Sequence, residues 1–283
     1  MTISELKNYF KTELSALYTD SESAFLSSVF IEKIVGFDAF YQRRSADQEL
    51  SKDDEKRLLE VISELKTSKP YQHILGETDF YGMTFFVNEN VLIPRPETEE
   101  LLELAIKKIK SSAFDAQNLK ILDIGTGSGI IPLVLKKHFP QAEVTSIDFS
   151  EKALEVARKN AAFHQLDVRF IHADYLNFDL KESFDVIISN PPYIGKDEEL
   201  EIEHSVKGFE PTMALFSPTS DALIFYRKIA EDAKKYLNKN GLLFLEINQK
   251  LGSETLDLYV ADFEETCLIK DLSENDRFVF GRK

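Results

Sequence analysis

The chain has 283 residues, of which 43% are hydrophobic, and it carries a formal net charge of −15. This length and apolar content predict one large domain and one small domain with buried cores. The charge argues against a broad nucleic-acid-binding surface, because affinity for phosphates depends largely on Lys and Arg. Cys267 is the single cysteine, and we find neither a signal peptide nor an apolar run of roughly 20 residues. We therefore expect a cytoplasmic protein without a membrane role.

The first 70 or so residues predict three helices. Apolar residues recur at helical spacing over 3–17 and 25–35, and a third helix is expected over 53–66, with Ser51 or Lys52 near its start. This segment contains no chemical motif, which favours a packing or partner-docking role over catalysis. We predict a helical substrate-docking domain over residues 1–75.

The next segment has the pattern of a short β-hairpin. Apolar residues over 77–93 are interrupted by Gly82 and by Asn88-Glu89-Asn90. We predict that a hairpin linker over 76–95 joins the helical domain to a larger domain over 96–283. A helix follows Pro94-Arg95-Pro96, and Arg95 is expected either to dock the hairpin or, by default, to form a structural salt bridge.

From Lys120 onward, short apolar strands alternate with helices. The strands are KILDIG, EVTSID, VRFIHAD, FDVIIS and GLLFLEI. This alternation predicts an α/β fold with a doubly wound parallel sheet, helices on both faces and functional loops at the carboxyl ends of the strands. The last segments, ETCLIKDL and RFVFGRK, predict an antiparallel pair that closes the sheet.

A glycine-rich turn, Gly125-Thr126-Gly127-Ser128-Gly129, follows the first of these strands and precedes a helix. Such a turn lets the backbone approach a nucleotide-like cofactor, although dinucleotide-binding folds use a similar pattern. Asp148 ends the next strand and is suited to accept hydrogen bonds from both hydroxyls of a ribose. Asp123 precedes the glycines, which favours S-adenosyl-L-methionine over a pyrophosphate, because a sulfonium and an amino group prefer nearby carboxylates.

Three further polar or aromatic residues follow strands of the predicted sheet. Tyr175 is a candidate to present its ring to adenine, while Asp174 either accepts a hydrogen bond from the cofactor or caps a loop, and the two interpretations are equally supported. Glu246, at the end of GLLFLEI, either faces the site or caps the following helix, and we prefer the cap. The five histidines and Cys267 show no metal-ligand spacing, so we predict no metal.

The segment Ser189-Asn190-Pro191-Pro192-Tyr193 ends the strand FDVIIS, beside the glycine-rich turn in the predicted sheet. Consecutive prolines cannot continue a central strand, so they stiffen this turn and fix its carbonyl groups. A planar amide nitrogen becomes positive as it attacks a sulfonium methyl, and acceptors aimed at its N–H groups stabilise that transition state.

We predict that the Asn190 side-chain oxygen and the Pro191 carbonyl are these acceptors, and that Tyr193 packs on the planar group of the substrate. Pro192 completes the substrate site, and Asn190 also reaches the cofactor. An ordinary turn is the alternative, but the order of the strands relative to the glycine-rich turn favours the functional interpretation.

At these residues the sequence resembles the class I S-adenosylmethionine-dependent methyltransferases that act on nitrogen. It resembles more closely the protein-(glutamine-N5) methyltransferases of peptide chain release factors. The resemblance covers nearly the whole chain, since it includes DIGTGSG, NPPYI, GFEPTMALFSP and the stretch PYQHILGETDFYGMTFFVNENVLIPRPETEEL. The last stretch is the most discriminating, because NPPY also serves adenine-N6 and some guanine-N2 methyltransferases.

The resemblance implies a seven-stranded sheet whose last strand is antiparallel, and S-adenosyl-L-methionine as the cofactor. It implies that the substrate is the glutamine of the Gly-Gly-Gln loop in class 1 release factors, and that the N-terminal helices contact the factor. By this resemblance Gly125 to Gly129, Asp148 and Tyr175 line the cofactor, and Asn190 to Tyr193 bind the glutamine. The alternatives are a nucleic-acid N-methyltransferase and a non-catalytic cofactor-binding subunit, and we expect a monomer.

Overall fold

The computed structural model describes residues 1–112, 114–115, 117–193, 208–217, 219 and 221–283. Ile194 of NPPYI and Pro218 of GFEPTMALFSP lie outside these described residues. The chain divides into two compact units: Met1–Glu77 belong to the first, and residues 78–193 and 210–283 belong to the second. The division into functional domains over 1–75, 76–95 and 96–283 stays a prediction.

The first unit is helical. Its helices are α1 (Ile3–Leu14), α2 (Asp20–Val35), α3 (Ala39–Arg44), α4 (Lys52–Leu65) and α5 (Tyr71–Leu75). Side chains cap four of these helices, and Ser51 caps α4 by accepting a hydrogen bond from the Asp54 N–H. Phe10, Phe30 and Leu58 belong to a single buried cluster, which holds the helices together.

The second unit alternates strands and helices. In chain order it contains β1 (Glu77–Phe80, beginning at the unit boundary), β2 (Met83–Phe86), α6 (Pro96–Ser111), β3 (Lys120–Ile124), α7 (Ile130–His138), β4 (Glu143–Asp148), α8 (Glu151–His164), β5 (Arg169–His172), β6 (Phe184–Ser189), α9 (Thr212–Leu215), α10 (Ile224–Tyr236), β7 (Leu237–Glu246), α11 (Gly252–Asp257), β8 (Glu265–Lys270) and β9 (Asp276–Arg282). Across the described part of the chain, no helix has both the length and the apolar character needed to cross a membrane.

Seven strands form one sheet in the order β5-β4-β3-β6-β7-β9-β8, and β1 pairs with β2 in a separate hairpin. Strands β3 to β7 run parallel, whereas β9 is antiparallel to both β7 and β8. This topology confirms the predicted α/β fold with a seven-stranded, mostly parallel sheet and an antiparallel closing pair.

Helices cover both faces of the sheet, because neighbouring residues of its strands point to opposite sides. Ile121 of β3 packs into a cluster that contains Leu101 of α6 and Val134 of α7. Leu122, the next residue, packs into a second cluster with Ile229 of α10. The middle of the sheet is therefore buried on both sides, which explains the apolar runs VII of β6 and LLFL of β7.

The strands end in register at the carboxyl edge of the sheet. Ile124 of β3 pairs with Ile147 of β4 on one side and with Ser189 of β6 on the other, and Ser189 pairs with Leu245 of β7. The next residue of each chain segment continues this row: Asp148, Gly125, Asn190 and Glu246. The predicted cofactor and acceptor residues are thus brought together by strand register.

Candidate active site

The glycine-rich turn adopts backbone angles that favour glycine. Gly125, Gly127 and Gly129 have φ values of +84°, +54° and +87°, in the left-handed region. A Cβ atom on Gly125 would lie 3.6 Å from the Asn190 carbonyl oxygen and 3.9 Å from the Pro191 Cα. The glycine-rich turn and the turn of the predicted hydrogen-bond acceptors, Asn190 to Tyr193 (the acceptor turn), therefore contact each other directly.

Hydrogen bonds of buried side chains hold the glycine-rich turn in place. The Asp123 Oδ2 accepts hydrogen bonds from Thr126 Oγ1 at 2.8 Å and from Ser146 Oγ at 2.5 Å. Asn160 of α8 donates from Nδ2 to the Ser128 carbonyl at 2.8 Å. Asp123 is fully buried and does not line the cavity described below. It therefore supports the glycine-rich turn, whereas the sequence had suggested that its carboxylate lies beside the cofactor cation. Burial raises the pKa of Asp123 to about 7.

Asp148 connects the glycine-rich turn to β4. Its Oδ2 accepts from the Gly127 N–H at 2.8 Å, and its Oδ1 accepts from the Ser150 N–H at 2.8 Å. Burial raises the pKa of Asp148, and the hydrogen bonds from Ser150 and Gly127 oppose this rise. An ionised carboxylate has about four acceptor positions, so each oxygen retains capacity for a further donor.

A cavity of about 330 Å³ opens above this edge of the sheet. Its size falls within the range of roughly 300–1,000 Å³ that is typical of small-molecule sites. The exposed Phe149 and the partly buried Phe216 and Phe225 are apolar residues of the cavity wall. They were not identified from the sequence. The predicted site residues that line the cavity are Gly125, Thr126, Gly127, Ser128, Asp148, Asp174, Tyr175, Asn190, Pro191 and Pro192. Gly129 and Tyr193, also predicted, are not part of this wall.

Asp174 and Tyr175 are both held by local hydrogen bonds. Asp174 caps a short 3-10 turn, since its Oδ1 accepts from the Leu176 N–H and its Oδ2 accepts from Asn177 Nδ2. Asp174 lines the cavity as well. The capping interpretation is therefore confirmed, and a hydrogen bond from the cofactor to Asp174 stays a prediction. Tyr175 is buried, and its hydroxyl donates to Asp232 Oδ2 at 2.8 Å. Burial, followed by the Asp232 charge, raises the pKa of Tyr175.

The acceptor turn is fixed at several atoms. Ser189 Oγ donates to the Ile124 carbonyl at 2.7 Å, and Asn190 Nδ2 donates to Thr98 Oγ1 at 3.2 Å. The Tyr193 carbonyl accepts from Asn248 Nδ2 at 3.3 Å. The Tyr193 ring is partly buried against the core beside α10, and burial raises its pKa. Among the described residues, none donates a hydrogen bond to Asn190 Oδ1.

Glu246 does not cap the helix that follows β7, so our preferred interpretation was wrong. Asn248 is the cap, and its Oδ1 accepts from the Lys250 N–H at 2.9 Å. The Glu246 side chain is buried, and its Oε2 accepts from Thr98 Oγ1 at 2.8 Å. Burial raises the pKa of Glu246 from 4.5 to about 7. The sequence did not identify Thr98, whose only signal was its place in the segment after Pro96.

The salt bridge expected for Arg95 is present. Arg95 Nη2 lies 2.6 Å from Glu210 Oε1, and the other oxygen of Glu210 accepts from the Ile93 N–H at 2.9 Å. Arg95 lines the cavity, where Asp148 and Asp174 are the other charged residues. Within the described ranges, no three His, Cys, Asp or Glu residues are placed to hold a metal ion.

Comparison with known proteins places this site in a family. The family model described as "Methyltransferase small domain" matches residues 103–206. A methyltransferase of known structure from Pyrococcus furiosus is 18% identical with a TM-score of 0.50, over 82% of this chain and 99% of that one, which shows a shared fold. The release factor glutamine methyltransferase of Flavobacterium psychrophilum is 45% identical over 99% of this chain and 98% of its own length. That of Streptococcus pneumoniae is 41% identical over 92% and 90%, respectively. At this identity and coverage, the chain belongs to the family of release factor glutamine methyltransferases.

Proposed function

We propose that the chain transfers a methyl group from S-adenosyl-L-methionine to the side-chain amide nitrogen (N5) of the glutamine in the Gly-Gly-Gln motif of class 1 release factors. The observation that carries this proposal is the contact between the glycine-rich turn and the acceptor turn, with Asn190 and Pro191 lining the same cavity as Gly125. A nucleic-acid substrate is less favoured, because the chain carries a net charge of −15.

The cavity wall fits the proposed cofactor better than it fits a pyrophosphate. Its charged residues are Asp148, Asp174 and Arg95, and Arg95 is already paired with Glu210. A cation and a ribose diol suit this carboxylate-bearing wall, whereas a pyrophosphate requires positive charge. We assign Gly125 to Gly129, Asp148, Asp174, Tyr175 and Asn190 to the cofactor, with the exposed Phe149 as a further apolar contact. When bound, S-adenosyl-L-methionine supplies the electrophilic methyl group.

The acceptor turn supplies orientation and hydrogen-bond acceptors. An amide nitrogen gains positive charge as it attacks, so an acceptor facing its N–H groups stabilises the transition state more than the ground state. We assign Asn190 Oδ1 and the Pro191 carbonyl to this role. Pro192 and Tyr193 are assigned to substrate binding, with Tyr193 shaping the site from behind the cavity wall. As the nitrogen bonds to the methyl carbon, the carbon–sulfur bond breaks and leaves a neutral thioether, and one N–H proton is then lost to solvent. This mechanism does not require a side chain acting as a general base.

We further propose that residues 1–75 form a docking domain for the release factor, joined to the catalytic domain over 96–283 by the hairpin linker. This assignment rests on the helical character of the first unit and on the family to which the chain belongs. Truncation of the helices should then impair transfer to the whole factor more than transfer to a short Gly-Gly-Gln peptide.

Mass spectrometry of the Gly-Gly-Gln peptide tests the reaction. A purified class 1 release factor is incubated with the chain and S-adenosyl-L-methionine, and the expected result is one added methyl group on the glutamine. A factor in which glutamate replaces that glutamine is the matched control, because it lacks the nitrogen. Methyl label found in RNA or DNA and absent from the factor would contradict the proposal.

A variant separates the acceptor role from cofactor binding. Asn190→Ala should lower kcat/KM for the factor by on the order of 10²–10³-fold, the size seen when one preorganised hydrogen-bonding group is removed from a transition state. The affinity for S-adenosyl-L-methionine, measured by calorimetry, should fall by much less than kcat/KM, because Asn190 is one of several residues assigned to the cofactor. Asn118→Ala, at an exposed asparagine before β3, is the control. An equal loss of cofactor affinity would contradict the assigned role of Asn190.

A further inference from the structure

A buried hydrogen-bonded network links the Asn190 amide to Thr98, which borders the cavity, and to Glu246, which does not line it. Asn190 Nδ2 donates to Thr98 Oγ1 at 3.2 Å, and Thr98 Oγ1 donates to Glu246 Oε2 at 2.8 Å. Thr98 and Glu246 are each 1% exposed. The three side chains come from different elements: α6, the turn after β6 and the end of β7.

The donors and acceptors of this network determine which end of the amide faces Thr98. A hydroxyl has one proton, and the Glu246 carboxylate only accepts when it is ionised, which is its main form above pH 7 because its pKa is about 7. Because the Thr98 proton is directed at Glu246, the Thr98 oxygen presents its lone pairs to Asn190. Only Nδ2 can donate to that oxygen, while a flipped amide would place Oδ1 against it and leave two acceptors facing each other in a buried site.

Thr98 and Glu246 are rigidly placed. Thr98 is the third residue of α6, which starts at Pro96, and its N–H donates to the Arg95 carbonyl at 3.1 Å. The Glu246 backbone pairs with Phe278 of β9, and its carbonyl accepts from the buried Tyr226 hydroxyl at 3.1 Å. Side chains on such regular elements position a neighbour more accurately than side chains on loops.

We propose that Thr98 and Glu246 are positioning residues that orient the Asn190 amide with Nδ2 inward, leaving Oδ1 to accept from the amide N–H of the substrate glutamine. This inference rests on the proposed function. It gives a role to the threonine that follows Pro96-Glu97 and to the single carboxylate at the end of β7. Neither residue needs to touch the substrate for the geometry of the acceptor to depend on it.

The test uses substitutions of Thr98 in the full chain. Thr98→Val keeps the shape of the side chain and removes the hydroxyl, and Thr98→Ser restores the hydroxyl. Thr98→Val should lower kcat/KM for the release factor by about 10- to 100-fold, since misplacing a reacting group by about 1 Å can have an effect of that order. Thr98→Ser should recover most of the loss, with cofactor affinity unchanged in both variants. Thr255→Val is the matched control, because Thr255 is buried and its hydroxyl has no partner among the described residues.

A double-mutant cycle distinguishes action through Asn190 from a general structural role. In an Asn190→Ala background, Thr98→Val should change kcat/KM by no more than about two-fold, because the group that it positions is gone. An equal 10- to 100-fold loss in both backgrounds would overturn the inference, as would an unimpaired Thr98→Val variant of a chain that methylates the factor.

A second measurement needs no substrate. The side-chain amide protons of Asn190, identified by NMR as the pair that Asn190→Ala removes, should exchange with solvent faster in Thr98→Val and return to the original rate in Thr98→Ser. Unchanged exchange in Thr98→Val would overturn the inference. If the unaltered chain transfers no methyl to the factor but exchange behaves as expected, the proposed function fails while the orientation of Asn190 by Thr98 holds.

Discussion

The buried Glu246 carboxylate should make stability depend on pH. Burial raises its pKa from 4.5 to about 7, while Thr98, Arg277 and Asn190 oppose this rise and Glu97 adds to it. A group with a raised folded pKa contributes stability below its unfolded pKa and loses it as the pH rises through the folded value. Because a tenfold change in proton affinity is worth about 1.4 kcal/mol, the full contribution is about 3 kcal/mol.

Glu246→Gln removes the titrating group and nearly preserves its shape. Relative to the unaltered chain, this variant should gain about 2 kcal/mol in free energy of unfolding between pH 5.5 and pH 8, which is the part of the titration within that interval. The other groups that face Glu246 are the Tyr193 and Tyr226 hydroxyls, which are common to both chains and cancel in the difference. The interval also avoids the sequence pI near 4.9, where solubility is low.

Urea unfolding provides the measurement, followed by tyrosine fluorescence because the chain has 10 Tyr and no Trp. Glu231→Gln, at an exposed glutamate of α10, controls for the loss of one negative charge. A stability difference between Glu246→Gln and the unaltered chain that stays constant from pH 5.5 to pH 8 would refute the reasoning about Glu246.

Three other predictions follow from the site. Gly129→Ala should lower the free energy of unfolding by about 1–3 kcal/mol more than Gly127→Ala, because a Cβ at 129 would meet the Ala157 Cβ at 3.1 Å while a Cβ at 127 meets nothing within 4 Å. Equal losses in urea unfolding would contradict this. Tyr175→Phe should cost about 1–3 kcal/mol by removing one hydrogen bond to the buried Asp232 carboxylate, which keeps those from Lys228 Nζ, and unchanged stability would show that the hydroxyl is dispensable. Asp148→Asn should weaken S-adenosyl-L-methionine binding roughly ten-fold in calorimetry, and unaltered affinity would remove Asp148 from the ribose site.

The succession of strands along the chain and the strand ends could be predicted from the sequence because both follow from local patterns. Short segments rich in apolar residues that alternate with helical ones identify parallel strands, and parallel strands place their carboxyl ends at one edge. Gly125 and Asn190 each follow the last residue of a strand and Asp148 ends another, so their proximity needed no knowledge of side-chain packing.

The network behind Asn190 could not be predicted in this way, because it depends on where a helix packs. Thr98 reaches Glu246 across 148 residues of sequence only because α6 lies against the sheet at the end of β7. A carboxylate after the apolar run GLLFL was visible, but a polar residue at a strand end is just as compatible with a helix cap. Asn248, two residues later, provides that cap.

The loss of stability caused by the Glu246 carboxylate and the proposed positioning role of Glu246 both result from its burial. Placing a carboxylate in a fully buried site disfavours its charge, which is why its pKa rises and why the fold should be less stable above pH 7 than with glutamine. The same burial removes competing water, so the Thr98 hydroxyl has one strong acceptor and can hold only one orientation of the Asn190 amide. Residues that lower the stability of the fold are concentrated at functional sites, where activity requires them. A carboxylate in the cavity wall would stabilise positive charge through an attraction that depends on distance and has little directional preference, whereas one placed behind Thr98 acts through the direction of a hydrogen bond.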